Sequence, residues 1–308
     1  MRQRPFQQVD VFTAVPLRGN PLAVVLDGTD LSDEQMQAFA AWTQLSETTF
    51  VVPPTPEGLA GGADYRVRIF TPGGELPFAG HPTLGTAHAW LQAGGQPQQP
   101  GQVVQECGVG LVTLREVDGR RAFAAPPLRR TPPEPAQLAA VLDALGLGPE
   151  EVLAAQHLDN GPHWLGLLLP DVDTVLALEP DHAALKQLGV KVGVAARRAA
   201  AAQAGPSLIR RASREARAFA PQAHNDSTDL EVRGFAAPVG ILEDPVTGSL
   251  NASLAQWLIA DGHLPQCYRA RQGTRLGRAG EVFIAQDTSG QVWVGGDVAD
   301  CVRGDVRL

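Results

Sequence analysis

The sequence predicts an α+β fold built from two similar units, and three observations carry that expectation. Strand-like runs rich in Val, Phe and Thr alternate with helical segments. A short pattern in the first half of the chain returns in the second. The stretch PPLRRTPPEP at 126–135 divides the two, because proline joins neither a strand ladder nor a helix interior. At 308 residues the chain has room for about two domains. The expected units are 1–127 and 128–298.

Taken in order, residues 6–13 and 22–26 read as strands flanking the turn Arg18-Gly19-Asn20-Pro21. Ser32-Asp33-Glu34-Gln35 has the S-x-x-Q form of a capping box, so a helix is expected from there to about Leu45. LSETTFVVPP follows, with Glu47 at the junction between that helix and a β-branched strand. Tyr65–Thr71 is another strand, followed by a Pro/Gly turn and the run LPFAGHPTLGTAHAWLQAGG. Residues 94–102 form a loop, and 103–125 alternate like a hairpin. Beyond the proline stretch, 136–147 reads as a helix and His163–Leu169 as a strand. The alanine- and arginine-rich residues 196–204 read as a helix.

The repeat is specific at both ends. Val67-Arg68-Ile69-Phe70 matches Val232-Arg233-Gly234-Phe235 at an offset of 165, and Trp90 matches Trp257 at 167, an apparent insertion of two residues. Each copy is a strand ending in VRxF, a loop with Pro and Glu, a glycine-containing turn and a helix closed by Gly. On the second helix Leu250, Leu254, Trp257 and Leu258 recur at i, i+4, i+7, i+8. The copies place helix starts at Gly80-His81-Pro82 and Thr247-Gly248-Ser249, with Pro82 expected at the first helical position. Two such starts facing each other across a cleft would hold a carboxylate through free N–H groups and both helix dipoles. The acidic stretch ILEDPVTGS at 241–249 then reads as one wall of that cleft.

Composition excludes several classes. A formal charge of -8 argues against nucleic acid, yet leaves room for a locally positive site that takes a small anion. Cys107, Cys267 and Cys301 show no CxxC spacing, so a reduced, cytoplasmic protein without disulfides is expected. The histidines lack metal-ligand spacing; His81 and His88 stand seven apart with no carboxylate or cysteine partner in sequence. No stretch approaches the ~18 apolar residues of a membrane span.

These stretches resemble the phenazine-biosynthesis isomerase (PhzF-like) family within the diaminopimelate epimerase fold. The landmarks are VDVFTAVPLRGNPLAVV near the start, LSETTFV at 45–51, RIFTPGGELPFAGHPTLGTAHA at 68–89, VRGFAAPVGILEDPVTGS at 232–249 and QGTRLGRAGEV at 272–282. The resemblance implies two pseudo-symmetric domains, each a β-sheet or barrel wrapped around a central helix, with 299–308 as a strand that rejoins the first. It also implies a homodimer, no cofactor and no metal. Matched motif by motif, it implies Glu47 as the catalytic acid/base, with His81 and Asp244 beside it. Gly80, Gly248 and Ser249 would bind the substrate. One departure is Leu250, where the family pattern has a small residue, which bears on substrate identity.

Related racemases of this fold use two cysteines, and neither helix start here carries one. A single carboxylate can instead take a proton from one carbon and return it to another, an isomerisation, provided partial burial brings its pKa near working pH. Each residue also has a plain reading: Glu47 as a solvated acid, His81 as a helix cap, Asp244 as a turn residue, Ser249 as an N-cap. Arg68 and Arg233 read as structural or at the cleft edge, and Cys107 as a packed small residue. The expectation is an isomerase of a small carboxylate-bearing substrate, of the trans-2,3-dihydro-3-hydroxyanthranilate isomerase type. The alternatives are an epimerase or racemase of an amino-acid-like substrate, and a non-catalytic small-molecule binding protein.

Overall fold

The computed structural model describes residues 2–198 and 228–308. In chain order the first half contains β1 (Gln3–Val11), β2 (Asn20–Val25), α1 (Asp33–Thr43), β3 (Thr48–Val52), α2 (Pro56–Ala60), β4 (Tyr65–Thr71), β5 (Gly74–Leu76), α3 (Gly80–Gln92), β6 (Gln102–Cys107), β7 (Gly110–Val117) and β8 (Arg120–Ala124). The second contains β9 (Arg129–Thr131), α4 (Pro135–Leu145), β10 (Ala154–Asp159), β11 (His163–Leu169), α5 (Val172–Ala177), α6 (His182–Leu188), β12 (Val192–Arg197), β13 (Leu230–Ala236), β14 (Ile241–Asp244), α7 (Gly248–Ala260), β15 (Cys267–Gln272), β16 (Gly280–Gln286), β17 (Val292–Gly295) and β18 (Val298–Arg307).

The fold is α+β and pseudo-symmetric: each half is a sheet wrapped around one buried helix, α3 or α7. Strand pairing repeats almost step for step. In the first half β1–β2 is antiparallel, β2–β3 parallel, β3–β4 antiparallel and β4–β6 parallel. In the second, β10–β11, β11–β12, β12–β13 and β13–β15 follow the same order of directions. The last strand of each run crosses over. β9, which follows β8, pairs with β10, and β18, which follows β17, returns to pair with β1 along its length. A β8–β17 pairing joins the two sheets.

Both central helices are buried nearly all round, as expected when a sheet encloses a helix. One core cluster takes Leu84 and Ala87 from α3 together with Leu250 and Leu254 from α7. Strand β11 explains the apolar run WLGLLL. Trp164 and Leu168 face that core, while Leu165, Leu167 and Leu169 face a second cluster with α4 and α5. Alternation puts both faces out of water, and each buried leucine contributes about 1.5–3 kcal/mol.

Several sequence expectations change in detail. The capping box at Ser32 forms in both directions, but α1 stops at Thr43 because Gln44 turns left-handed (φ 57°). The 103–125 segment is a three-stranded meander, and the proline stretch contains β9, made of its non-proline residues. Pro82 is the third helical residue, since α3 opens at Gly80; the third N–H is also free of helical partners, so proline costs nothing there. Of the helix expected at 196–204, residues 196–197 end β12 and 199–204 lie outside the described residues. The repeat offset is 165 at β4 and β13 but 168 at the helix starts Gly80 and Gly248. Of the three inserted residues, two lengthen the turn between β13 and β14, and the third enters at the register shift where β14 pairs with β13. The two tryptophans that aligned at 167 are not structural equivalents.

No helix among the described residues is long and apolar enough to cross a membrane. Cys107, Cys267 and Cys301 are free, and Cys107 is packed at the end of β6, where burial raises its pKa. His88 does have a carboxylate partner, Asp300 of β18 at 2.9 Å.

Candidate active site

The two helix starts meet glycine to glycine. A Cβ added to Gly80 would lie 2.8 Å from the Cα of Gly248, and one added to Gly248 would lie 2.7 Å from the Cα of Gly80. Only glycine permits this approach, which brings two positive helix ends together. Neither helix has a side-chain cap: Ala79 cannot provide one, and Thr247 sends its hydroxyl elsewhere. The first-turn N–H groups of both helices therefore offer themselves to an anion.

Thr247 donates instead to Asp244 Oδ2 at 2.6 Å, and Asn20 donates to Asp244 Oδ1 at 2.8 Å. Asn20 also donates to the Val246 carbonyl at 2.9 Å. From the opposite side, Gln272 donates to the Asp244 carbonyl at 3.0 Å and accepts from the Thr247 backbone and from Asn251. Asp244 is thereby fixed in place. Burial pushes it up to about 6, with Glu243 adding to the rise, while Thr247 and Asn20 hold it down.

Glu47 lies between the end of α1 and β3, and is buried without such support. Its Oε2 makes no hydrogen bond among the described residues, and neither does His81 Nε2, 3.4 Å away. Burial first, and the charge of Asp244 second, push Glu47 up to about 8, against smaller downward pulls from Ser46 and Lys191. Burial also drives His81 down to about 3, so it is neutral and its contact with Glu47 is no ion pair. Glu47 and Asp244 titrate as a coupled pair, and the unsupported Glu47 is where a shared proton rests.

A cavity of about 610 Å³ opens onto these groups. Its wall includes Glu47, Asp244, Thr247 and Ser249, with Trp164 and Lys191 contributed by the β10–β12 region. Ser249 is the second residue of α7, not its cap, and its Oγ accepts from Trp164 Nε1 at 3.4 Å. Gly80, His81 and Gly248 are not part of the wall. The glycines are spent on the helix contact, and His81 spans from Asn20 (Nδ1 to Nδ2, 3.3 Å) to Glu47. Leu250 does not reshape the cavity: it packs into the core against Gly193 and Gly234, whose missing side chains make room for it. Arg68 and Arg233 stay outside the wall, each forked onto a glutamate of the neighbouring strand, Glu75 and Glu243.

Sequence reading missed Asn20, Thr247, Gln272, Lys191 and Trp164 as site residues. For Asn20 the signal was present in the turn RGNP, where an asparagine follows a glycine just before a strand. Lys191 carries no local signal. Among the described residues no cluster of His, Cys, Asp and Glu has the form of a metal site.

Comparison with known proteins agrees on one family. The family described as phenazine biosynthesis-like protein matches residues 9–302. The trans-2,3-dihydro-3-hydroxyanthranilate isomerase of Pseudomonas aeruginosa is 34% identical over 92% of this chain and 90% of its own. The antisense-enhancing sequence 1 protein of Schizosaccharomyces pombe is 33% identical over 99% of both chains. Among solved structures, a PhzF-family protein of Bacillus anthracis superimposes with a TM-score of 0.78, at 19% identity over the whole of both chains.

Proposed function

Because the chain belongs to the phenazine biosynthesis-like family and has the isomerase role of that family, we propose that it moves a proton between two carbons of a small carboxylate-bearing substrate, with Glu47 as the one acid/base. The observation that carries this reading is a buried carboxylate, poised near 8 and with one oxygen lacking a hydrogen-bond partner among the described residues, on the cavity that the two uncapped helix starts approach. The start of α7, through the Ser249 backbone N–H and hydroxyl, holds the substrate carboxylate, and the positive end of α3 behind it adds to the field. Ionised Glu47 takes the proton from one carbon and, reaching the substrate from one side only, returns it to another on the same face. With its pKa raised above neutrality, a minor fraction of Glu47 is ionised at neutral pH and acts as base, and its conjugate acid is able to give the proton back. Neutral His81 donates its Nε2 hydrogen to the Glu47 carboxylate when that ionises, and Asp244 holds a polar substituent of the substrate.

The substrate in the name of the Pseudomonas aeruginosa relative, trans-2,3-dihydro-3-hydroxyanthranilate, is the first to try. The same reading takes 1–127 and 128–298 as the two units, the latter exchanging strands with the former, and a homodimer as the assembled form. Proton NMR in D2O tests it. Wild type should consume the compound with deuterium entering a new ring carbon, and Glu47→Gln should lose turnover while keeping ligand affinity within about tenfold. Full activity in Glu47→Gln sinks the assignment. A second reading, epimerisation, is favoured by the presence of two coupled carboxylates from opposite halves on one cavity; it predicts exchange and inversion at a single carbon.

A further inference from the structure

Lys191 stands in the second half where Glu47 stands in the first. Thr48 opens β3 opposite Phe70 of β4, and Val192 opens β12 opposite Phe235 of β13, the repeat-equivalent of Phe70. The residues just before those strands are Glu47 and Lys191, and both line the one cavity. The duplicated fold thus presents the same position twice, once as a carboxylic acid and once as an ammonium.

Lys191 is the one Lys or Arg among the described residues of the wall. Its Nζ lies 4.8 Å from the centre of the Trp164 ring, and it makes no hydrogen bond or ion pair among the described residues. Burial lowers its pKa, and Glu47 opposes this only at a distance. A cation set against an indole face on the cavity wall, with no anionic partner among the described residues, is placed to take a ligand anion. The same indole reaches Ser249 through its Nε1 edge. One ring therefore joins the helix-start anion site to Lys191.

We propose that Lys191 takes a second anionic group of a bound molecule, so that among small carboxylates the cavity favours a dicarboxylate whose ends are separated by the span of the Trp164 ring over a monocarboxylate of similar length. This rests on the reading of the helix starts as the first carboxylate site.

Ligand-observed NMR titration of succinate, glutarate and butyrate against wild type, Lys191→Met, Lys191→Arg and Glu47→Gln tests it without any turnover. Wild type should bind succinate or glutarate at least tenfold tighter than butyrate. Lys191→Met should bring that ratio to within twofold with butyrate binding unchanged, and Lys191→Arg should restore it. No preference in wild type overturns the proposal. So does a preference that survives in Lys191→Met, including the case where that variant loses turnover as a proton donor would. Glu47→Gln separates the two readings: it should keep the dicarboxylate preference whether or not the proton-transfer role of Glu47 stands.

Discussion

The two halves of this protein share a fold and differ in where they place charge. At matching positions the first half carries Glu47 and His81, and the second carries Lys191 and Ser249. Both halves keep the fork of an arginine on the strand before the turn and a glutamate on the strand after it. Arg68 and Glu75 are 18% and 41% exposed, and Asp33 shares the arginine; Arg233 and Glu243 are 4% and 9% exposed, and the arginine also donates to two backbone carbonyls. Duplication conserved the backbone solution and released the side chains. The lesson is that symmetry sets where groups point, while burial sets what they are worth.

The largest expected effect breaks that comparison at the forks. Arg233→Ala leaves Glu243 and two carbonyls without their partner and should cost about 3–5 kcal/mol, read as a lower urea midpoint. Arg68→Ala should cost less than about 1 kcal/mol, because water replaces the lost partner. Equal losses would show that burial does not distinguish the two forks.

Next comes the cost of burying Glu47. Its pKa in the folded chain is near 8 against 4.5 unfolded, so the native state binds more protons between those values and stability falls as pH rises through that window. Glu47→Gln lacks this slope. Thermal melts should show the variant gaining on wild type from about pH 6 to pH 8 by roughly 1–3 kcal/mol. His81 adds an upward slope between about 3 and 6.5 that is common to the two proteins, whereas the downward slope of Asp244, between 3.8 and about 6 in wild type, changes with its partner, so the comparison is read above pH 6.

The smaller effect sharpens the contrast between the two carboxylates. The charge of Asp244 raises Glu47, so Asp244→Asn should move the ascending limb of the pH profile of kcat/KM to lower pH by about one unit. An upward shift, or none, would mean that Asp244 does not act on Glu47 through its charge.

Much of this was legible in the sequence where partners are near neighbours. Ser32 and Gln35 form the box their spacing announces, and β4 and β11 occupy the expected residues. The duplicated unit was visible, and so were the glycines at both helix starts, because a glycine turn before an apolar helix is a local signal. Glu47, Asp244 and Ser249 line one cavity, whereas Gly80, His81 and Gly248, expected beside them, do not.

Tertiary structure alone decided the rest. The contact of Gly80 with Gly248, the hold of Asn20 on Asp244, and the brace of Gln272 under Thr247 each join residues far apart in the chain. Leu250, an anomaly in sequence, is accounted for by glycines on two strands it packs against. His81 turned from the cavity toward Glu47 because its two ring nitrogens meet Asn20 and Glu47. Local periodicity and capping chemistry specify elements, since those interactions close within a few residues. Register between distant strands, and with it the identity of the residue opposite Glu47, exists only once the two sheets have closed around their helices.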